Sequence, residues 1–142
     1  MDQRHLFIEL SYNCAESVLA AVTGSMDHVS CASGFGGGIG DSGSTCGAVT
    51  GAIMGMGLAL EVRNPETPIS YEAFKESLVT RFLDTFEEEF GSTFCHELLE
   101  ASRFEEEKDR QAYHASSERK MTCANFVDYA ADLAQELVDE VQ

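Results

Sequence analysis

At 142 residues the chain is long enough for one domain, 1–142, that buries a core without needing metal or disulfides as staples. Its 25 Asp and Glu against 9 Lys and Arg give a net charge of -16. With no basic stretch of useful length, nucleic acid and anionic membranes are poor partners, whereas a basic or metal-bearing redox partner would be steered towards it. No basic region followed by a long apolar run opens the chain, so no signal peptide is expected, and a reducing cytoplasm is the default compartment.

His5 to Leu10 reads as an early helical turn. Residues 12–24 read as a helix: Ala15, Val18, Leu19 and Val22 recur at helical spacing, between Asn13 and Gly24 as end signals. A short helix over 28–36 ends at Gly34 or Gly36. A glycine-dense loop follows, from Gly34 to Gly47. It contains a literal GxGxxG at Gly38–Gly43, but no strand precedes it, so dinucleotide binding is not expected.

Residues 45–60 form an apolar helix, too short to span a bilayer. Its glycines 47, 51 and 55 make a flat stripe where another helix backbone can come close. Met54 and Met56 read as core filler. Residues 63–68 are a linker. Ser70 caps a long helix that Gly91 ends, with Phe74, Leu78, Phe82 and Phe86 on one face, directed at the 46–60 helix and the C-terminal helix. Glu87–Glu89 read as a solvated face. Residues 92–101 give a short helix, and 102–120 a charged loop or exposed helix. Thr122 then caps a helix to the C-terminus, burying Phe126, Tyr129, Ala130, Leu133 and Leu137. No alternating strand pattern occurs. The expected fold is all-α, a compact bundle of about five helices with a glycine-rich loop.

Four of the five cysteines, Cys14, Cys46, Cys95 and Cys123, closely follow an Asn, Ser or Thr suited to cap a helix. A thiol in a first helical turn faces the positive end of the dipole, which favours the thiolate, the form that ligates metals and attacks disulfides. The four lie far apart in the chain, so only the fold could join them into one site. Cys31 stands outside this set, with a buried packing role. His96 beside Cys95 is a weaker ligand candidate, and an exposed first-turn histidine is the favoured explanation. Glu16 and Glu97 suit the first turns of their helices.

The segments NCAESVLAA, ASGFGGGIGDSGSTCGAVTGAIMGMGL, FGSTFCHELL and TCANFVDYAADLAQEL, in this order, resemble the C_GCAxxG_C_C family of redox-active proteins. The resemblance maps the four family cysteines onto Cys14, Cys46, Cys95 and Cys123. Members occur mostly in anaerobes, alone or fused to electron-transfer modules, and a related domain with an iron–sulfur centre occurs in split-Soret cytochromes. No CxxCH is present, so covalent haem is not expected.

The resemblance implies a redox site without naming a reaction, and the residues leave several chemistries open. The first is electron transfer through an iron–sulfur cluster on the four thiolates, with Gly36, Gly37, Gly38 and Gly47 bringing backbone amides close to it. The second is thiol–disulfide chemistry among the same cysteines. The third is a structural zinc on the four thiolates, disfavoured by the lack of close cysteine pairs. The fourth is that the cysteines are merely buried small residues and hold no cofactor. A redox partner protein is expected, and a homodimer is left open.

Overall fold

A computed structural model describes residues 1–99, 108, 112 and 115–141. Among them the chain is all-α, with no strand beyond one isolated antiparallel bridge between Thr45 and Phe94. A π-helical turn, His5–Glu9, precedes α1 (Cys14–Thr23). A 3-10 helix, Val29–Phe35, leads to the glycine loop and α2 (Gly47–Arg63). Next come α3 (Tyr71–Phe74), a π turn (Lys75–Val79) and α4 (Thr80–Phe90), which together make the expected long helix. The chain then forms the short α5 (Cys95–Leu99) and the long α6 (Ser117–Glu140). The charged segment expected over 102–120, and the end of the 92–101 helix, lie largely outside the described residues.

Helix α1 begins where the sequence places it. Asn13 accepts from the Glu16 amide at 2.8 Å, and the Glu16 carboxylate accepts from the Asn13 amide at 2.9 Å, a closed capping box. Gly24, at φ +70°, ends the helix in the left-handed conformation that glycine takes without strain. The stripe on α2 is the seat of α1. A Cβ on Gly51 would stand 2.5 Å from the Ala15 carbonyl oxygen, and one on Gly55 would stand 2.8 Å from Val22 Cβ. Only bare backbone lets the two helices approach this closely.

Helix α6 packs against both α1 and α2. Phe82 and Phe86 of α4 are fully buried, and Phe86 stands against Phe126 and Tyr129 of α6 at ring separations of 6.3 and 6.1 Å. Earlier on the same face, the Phe74 ring reaches Gly57 of α2. The phenylalanine face thus meets both expected helices. Glu87, Glu88 and Glu89 are exposed, as a solvated face requires.

One boundary differs from expectation. Ser116, not Thr122, caps the last helix, accepting from the Arg119 amide at 3.2 Å. The Thr122 hydroxyl instead donates to the Glu118 carbonyl at 3.0 Å, one turn back inside the helix. A threonine can satisfy its hydroxyl this way within a helix as readily as at its start, so the residue alone does not fix the boundary.

Candidate functional site: four thiols under a glycine loop

Cys14, Cys46, Cys95 and Cys123 line one small pocket with Gly37, Gly47, Leu98, Leu99, Arg119 and Phe126. All four are free thiols, and the pocket has room for about one water. Cys31 is exposed on the 3-10 helix and takes no part. The buried packing role expected for it is incorrect, because the turn of 29–35 points its side chain to solvent while Val29 and Ala32 face inward.

Each thiol is delivered by a different local device. Cys14 is the first residue of α1, just inside the capping box. Cys46 is the residue before α2, its carbonyl accepting from the Val49 and Thr50 amides at 3.0 and 3.1 Å. Cys95 opens α5. Cys46 and Cys95 are stitched together by the antiparallel bridge: the Cys46 amide donates to the Thr93 carbonyl at 2.8 Å, and the Cys95 amide to the Ser44 carbonyl at 2.7 Å. Side chains alternate across such a ribbon. Phe94 therefore points outward, and Cys46 and Cys95 share the buried side.

Cys123 corrects the idea of four helix N-termini. It lies in the second turn of α6 and reaches the pocket through the buried face of that helix. Three thiols stand at helix starts, and the fourth does not. The expected lowering of the thiol pKa values is also overturned. Burial pushes all four up, Cys123 to about 12. Opposing influences are present but smaller. The Arg119 guanidinium lowers Cys14, Cys95 and Cys123, and it also hydrogen-bonds to the Cys123 side chain. Backbone amides of Gly37, Ala15 and Cys14 address the Cys14 sulfur, and that of Ala48 addresses Cys46. Desolvation by burial is the largest influence on each of the four thiols.

The glycine loop closes over these sulfurs by an unusual route. Gly37, Gly38, Ile39, Gly40 and Asp41 all have positive φ, between 57° and 72°, one left-handed turn of backbone. The turn is held by the Gly40 amide on the Gly34 carbonyl at 2.9 Å and the Asp41 amide on the Gly36 carbonyl at 3.0 Å. Ile39 and Asp41 each bear the cost of that conformation, of order 1–2 kcal/mol for a residue with a side chain. Three of the four candidate glycines touch the thiols. The Gly37 amide addresses Cys14, a Cβ on Gly38 would stand 2.6 Å from Cys95 Cβ, and one on Gly47 would collide with Cys14 Sγ. A Cβ on Gly36 would instead stand 3.1 Å from Asn13 Nδ2.

His96 is not directed at the sulfurs. Its Nδ1 stands 2.6 Å from the Gly43 carbonyl oxygen, tying α5 to the loop, and the residue is exposed. Thr50 hydrogen-bonds the Gly47 carbonyl at 3.2 Å. Arg119 escaped the sequence reading, hidden in a charged stretch. Its one signal was position, four residues before Cys123 and so on the same helical face. Among the described residues, no group of three or more His, Cys, Asp or Glu side chains is arranged to hold a single metal ion. No described helix is long and apolar enough to cross a membrane.

Compared with known families, residues 12–137 match the model described as "Putative redox-active protein (C_GCAxxG_C_C)", a span that contains all four pocket cysteines. The chain belongs to this family. No curated protein and no solved structure matches it. The C_GCAxxG_C_C match supports redox activity for the chain and leaves the carrier of the electrons open.

Proposed function

We propose that this C_GCAxxG_C_C protein is an electron carrier whose iron–sulfur centre is held by Cys14, Cys46, Cys95 and Cys123. The observation that carries the reading is the gathering of four thiols from four chain segments around one pocket, under a glycine loop that adds backbone amides. Four thiolates are the donor set of two-iron and four-iron clusters alike. The absence of Cβ atoms at Gly38 and Gly47 keeps backbone close to the sulfurs, the kind of cradle such a centre uses. The cluster would supply one-electron transfer. The chain's own groups would set its potential: the amides at Cys14 and the Arg119 cation favour the more negative state, and the net charge of -16 opposes it.

The pocket between the four protonated thiols has room for about one water. Ligation therefore requires loss of their protons and an outward shift of the lining.

A second reading has its own support. Cys46 and Cys95 lie on the same side of the bridged segments and line one pocket, and a disulfide between them would require those segments to shift from the register in which Cys46 faces Thr93 and Cys95 faces Ser44. Oxidation would form one S–S bond and release two electrons and two protons to an acceptor disulfide or quinone.

Anaerobic isolation followed by iron, sulfide and zinc analysis and an absorption spectrum separates the readings. Iron with acid-labile sulfide, and a brown band at roughly 400–450 nm from sulfur-to-iron charge transfer, is the expected result. A colourless protein that takes up two electrons per chain reversibly would establish the disulfide reading instead. One firmly held zinc would overturn both.

A further inference from the structure

Two large apolar side chains stand just outside the wall of the thiol pocket. That wall is thin where the glycine turn meets α5: a Cβ on Gly38 would stand 2.6 Å from Cys95 Cβ. Ile39 adjoins Gly38, Phe94 adjoins Cys95, and their side chains are 44% and 46% exposed. Apolar surface in water is unfavourable, and covering it is favourable. Ile39 is also held at φ +66°, a conformation that a β-branched residue adopts only under strain and glycine adopts freely. The fold thus keeps an exposed apolar side chain at a position where a glycine would cost less. His96 lies next to these two, its ring 6.0 Å from that of Phe94.

The segments that build this face share a second property. From His5 to Val62, and again from Phe82 to Ser102, the chain has no lysine or arginine. Asp41, on the same turn as Ile39, and Glu97, two residues after Cys95, are both exposed. Cations lie on other elements, where several are paired: Arg4 with Asp128, Arg63 with Asp139 and Arg81 with Glu140. Arg119 belongs to the lining of the inner pocket. An apolar centre beside carboxylates, on segments without a lysine or arginine, is complementary to a protein surface whose apolar centre is ringed by lysines.

We propose that this face, with Phe94 and Ile39 at its centre and Asp41 and Glu97 beside them, is the docking surface for a basic redox protein. The proposal rests on the electron-carrier reading and adds the place where the electron leaves. One electron passes from the reduced centre to the oxidised one-electron centre of the partner. No bond forms or breaks, and no proton moves. Docking here sets the partner against Phe94, one residue from a ligand of the centre.

Mitochondrial cytochrome c, a small basic haem protein, is the probe. The full chain, isolated and reduced without oxygen, is mixed with oxidised cytochrome c, and haem reduction is followed at several ionic strengths. A small neutral quinone, used in parallel, reports on the centre itself. The rate to cytochrome c should fall as salt is added. Phe94→Ser should lower it about tenfold, the scale of one aromatic anchor. Glu97→Gln should lower it about two- to threefold at low salt, the scale of one exposed charge pair, and flatten its salt dependence. Val62, 79% exposed, and its exposed neighbour Glu61 serve as controls at the far end of α2, about 24 Å from Cys46 at about 1.5 Å per residue. Val62→Ser and Glu61→Gln remove the same kinds of group and should leave the rate to cytochrome c unchanged. If Phe94→Ser slows both oxidants alike, the variant has disturbed the centre, and the comparison of Glu97→Gln with Glu61→Gln decides. Equal effects of those two substitutions, or a rate that salt does not alter, would overturn the proposal. So would a dimer of this chain in sedimentation that Phe94→Ser breaks, because it would assign the face to a second copy. A reduced chain that passes no electron to either oxidant contradicts the electron-carrier reading, and the docking surface falls with it.

Discussion

At the level of single residues, burial decides the chemistry of the thiols. The sequence places Cys14, Cys46 and Cys95 at helix starts, which is correct, and helix starts favour thiolates. What the sequence does not display is how little water reaches them. Desolvation depends on which segments close over a site, and here these include a left-handed glycine turn and a buried face of α6. The consequence is a pH dependence with a definite sign. In the reduced, metal-free protein the folded state keeps its thiol protons to higher pH than the unfolded chain, whose thiols titrate near 9.0. Below that pH both states are protonated and stability is unaffected. Above it the unfolded chain loses protons that the folded chain retains, so stability falls as pH rises. For Cys123 the window runs from 9.0 to about 12. Each buried thiol contributes a slope of about 1 kcal/mol per pH unit inside its window. Urea midpoints measured between pH 8 and about 11 should decline, and the decline should be shallower in Cys123→Ala. Equal slopes in the two proteins would show that Cys123 is not buried as described.

Helices were legible where capping and periodicity coincide. Asn13, Gly24, Ser70 and Gly91 mark real ends, and the Gly47, Gly51 and Gly55 stripe correctly announced a close helix neighbour. The start of α6 was misread because Thr122 has a cap's chemistry but spends it on a carbonyl in its own helix. The bridge joining Thr45 to Phe94 was invisible, since one pair of residues from distant segments leaves no periodic trace. The stripe yields a paired test at this scale. Alanine favours a helix over glycine by about 1 kcal/mol. At Gly57 the nearest atom to a new Cβ is the Phe74 ring at 3.7 Å, ordinary contact, so Gly57→Ala should stabilise by up to about 1 kcal/mol. At Gly51 the obstacle is Ala15 backbone at 2.5 Å, which cannot step aside cheaply. Gly51→Ala should therefore cost about 1–3 kcal/mol despite the better propensity. Thermal or denaturant unfolding reads both, and two effects of the same sign would mean that α1 and α2 do not pack through the stripe.

Across the whole molecule, α1, α2 and α6 form the frame, and the site sits where α1 and α2 begin, roofed by the glycine loop. Membership of the four-cysteine set was readable because each residue carries a local signal or falls within the family pattern. Their convergence was an inference that only the fold could test, and the fold gathers them around one pocket. The central claim is that these four thiols act as a single metal-bearing redox centre while Cys31 stands apart. The most direct measurement is iron and sulfide content per chain across five single variants, Cys14→Ser, Cys31→Ser, Cys46→Ser, Cys95→Ser and Cys123→Ser, all isolated without oxygen. The account predicts that Cys31→Ser matches the unaltered protein and that each of the other four loses most of its iron and sulfide. Full iron and sulfide in any of those four, or their loss in Cys31→Ser, would contradict it.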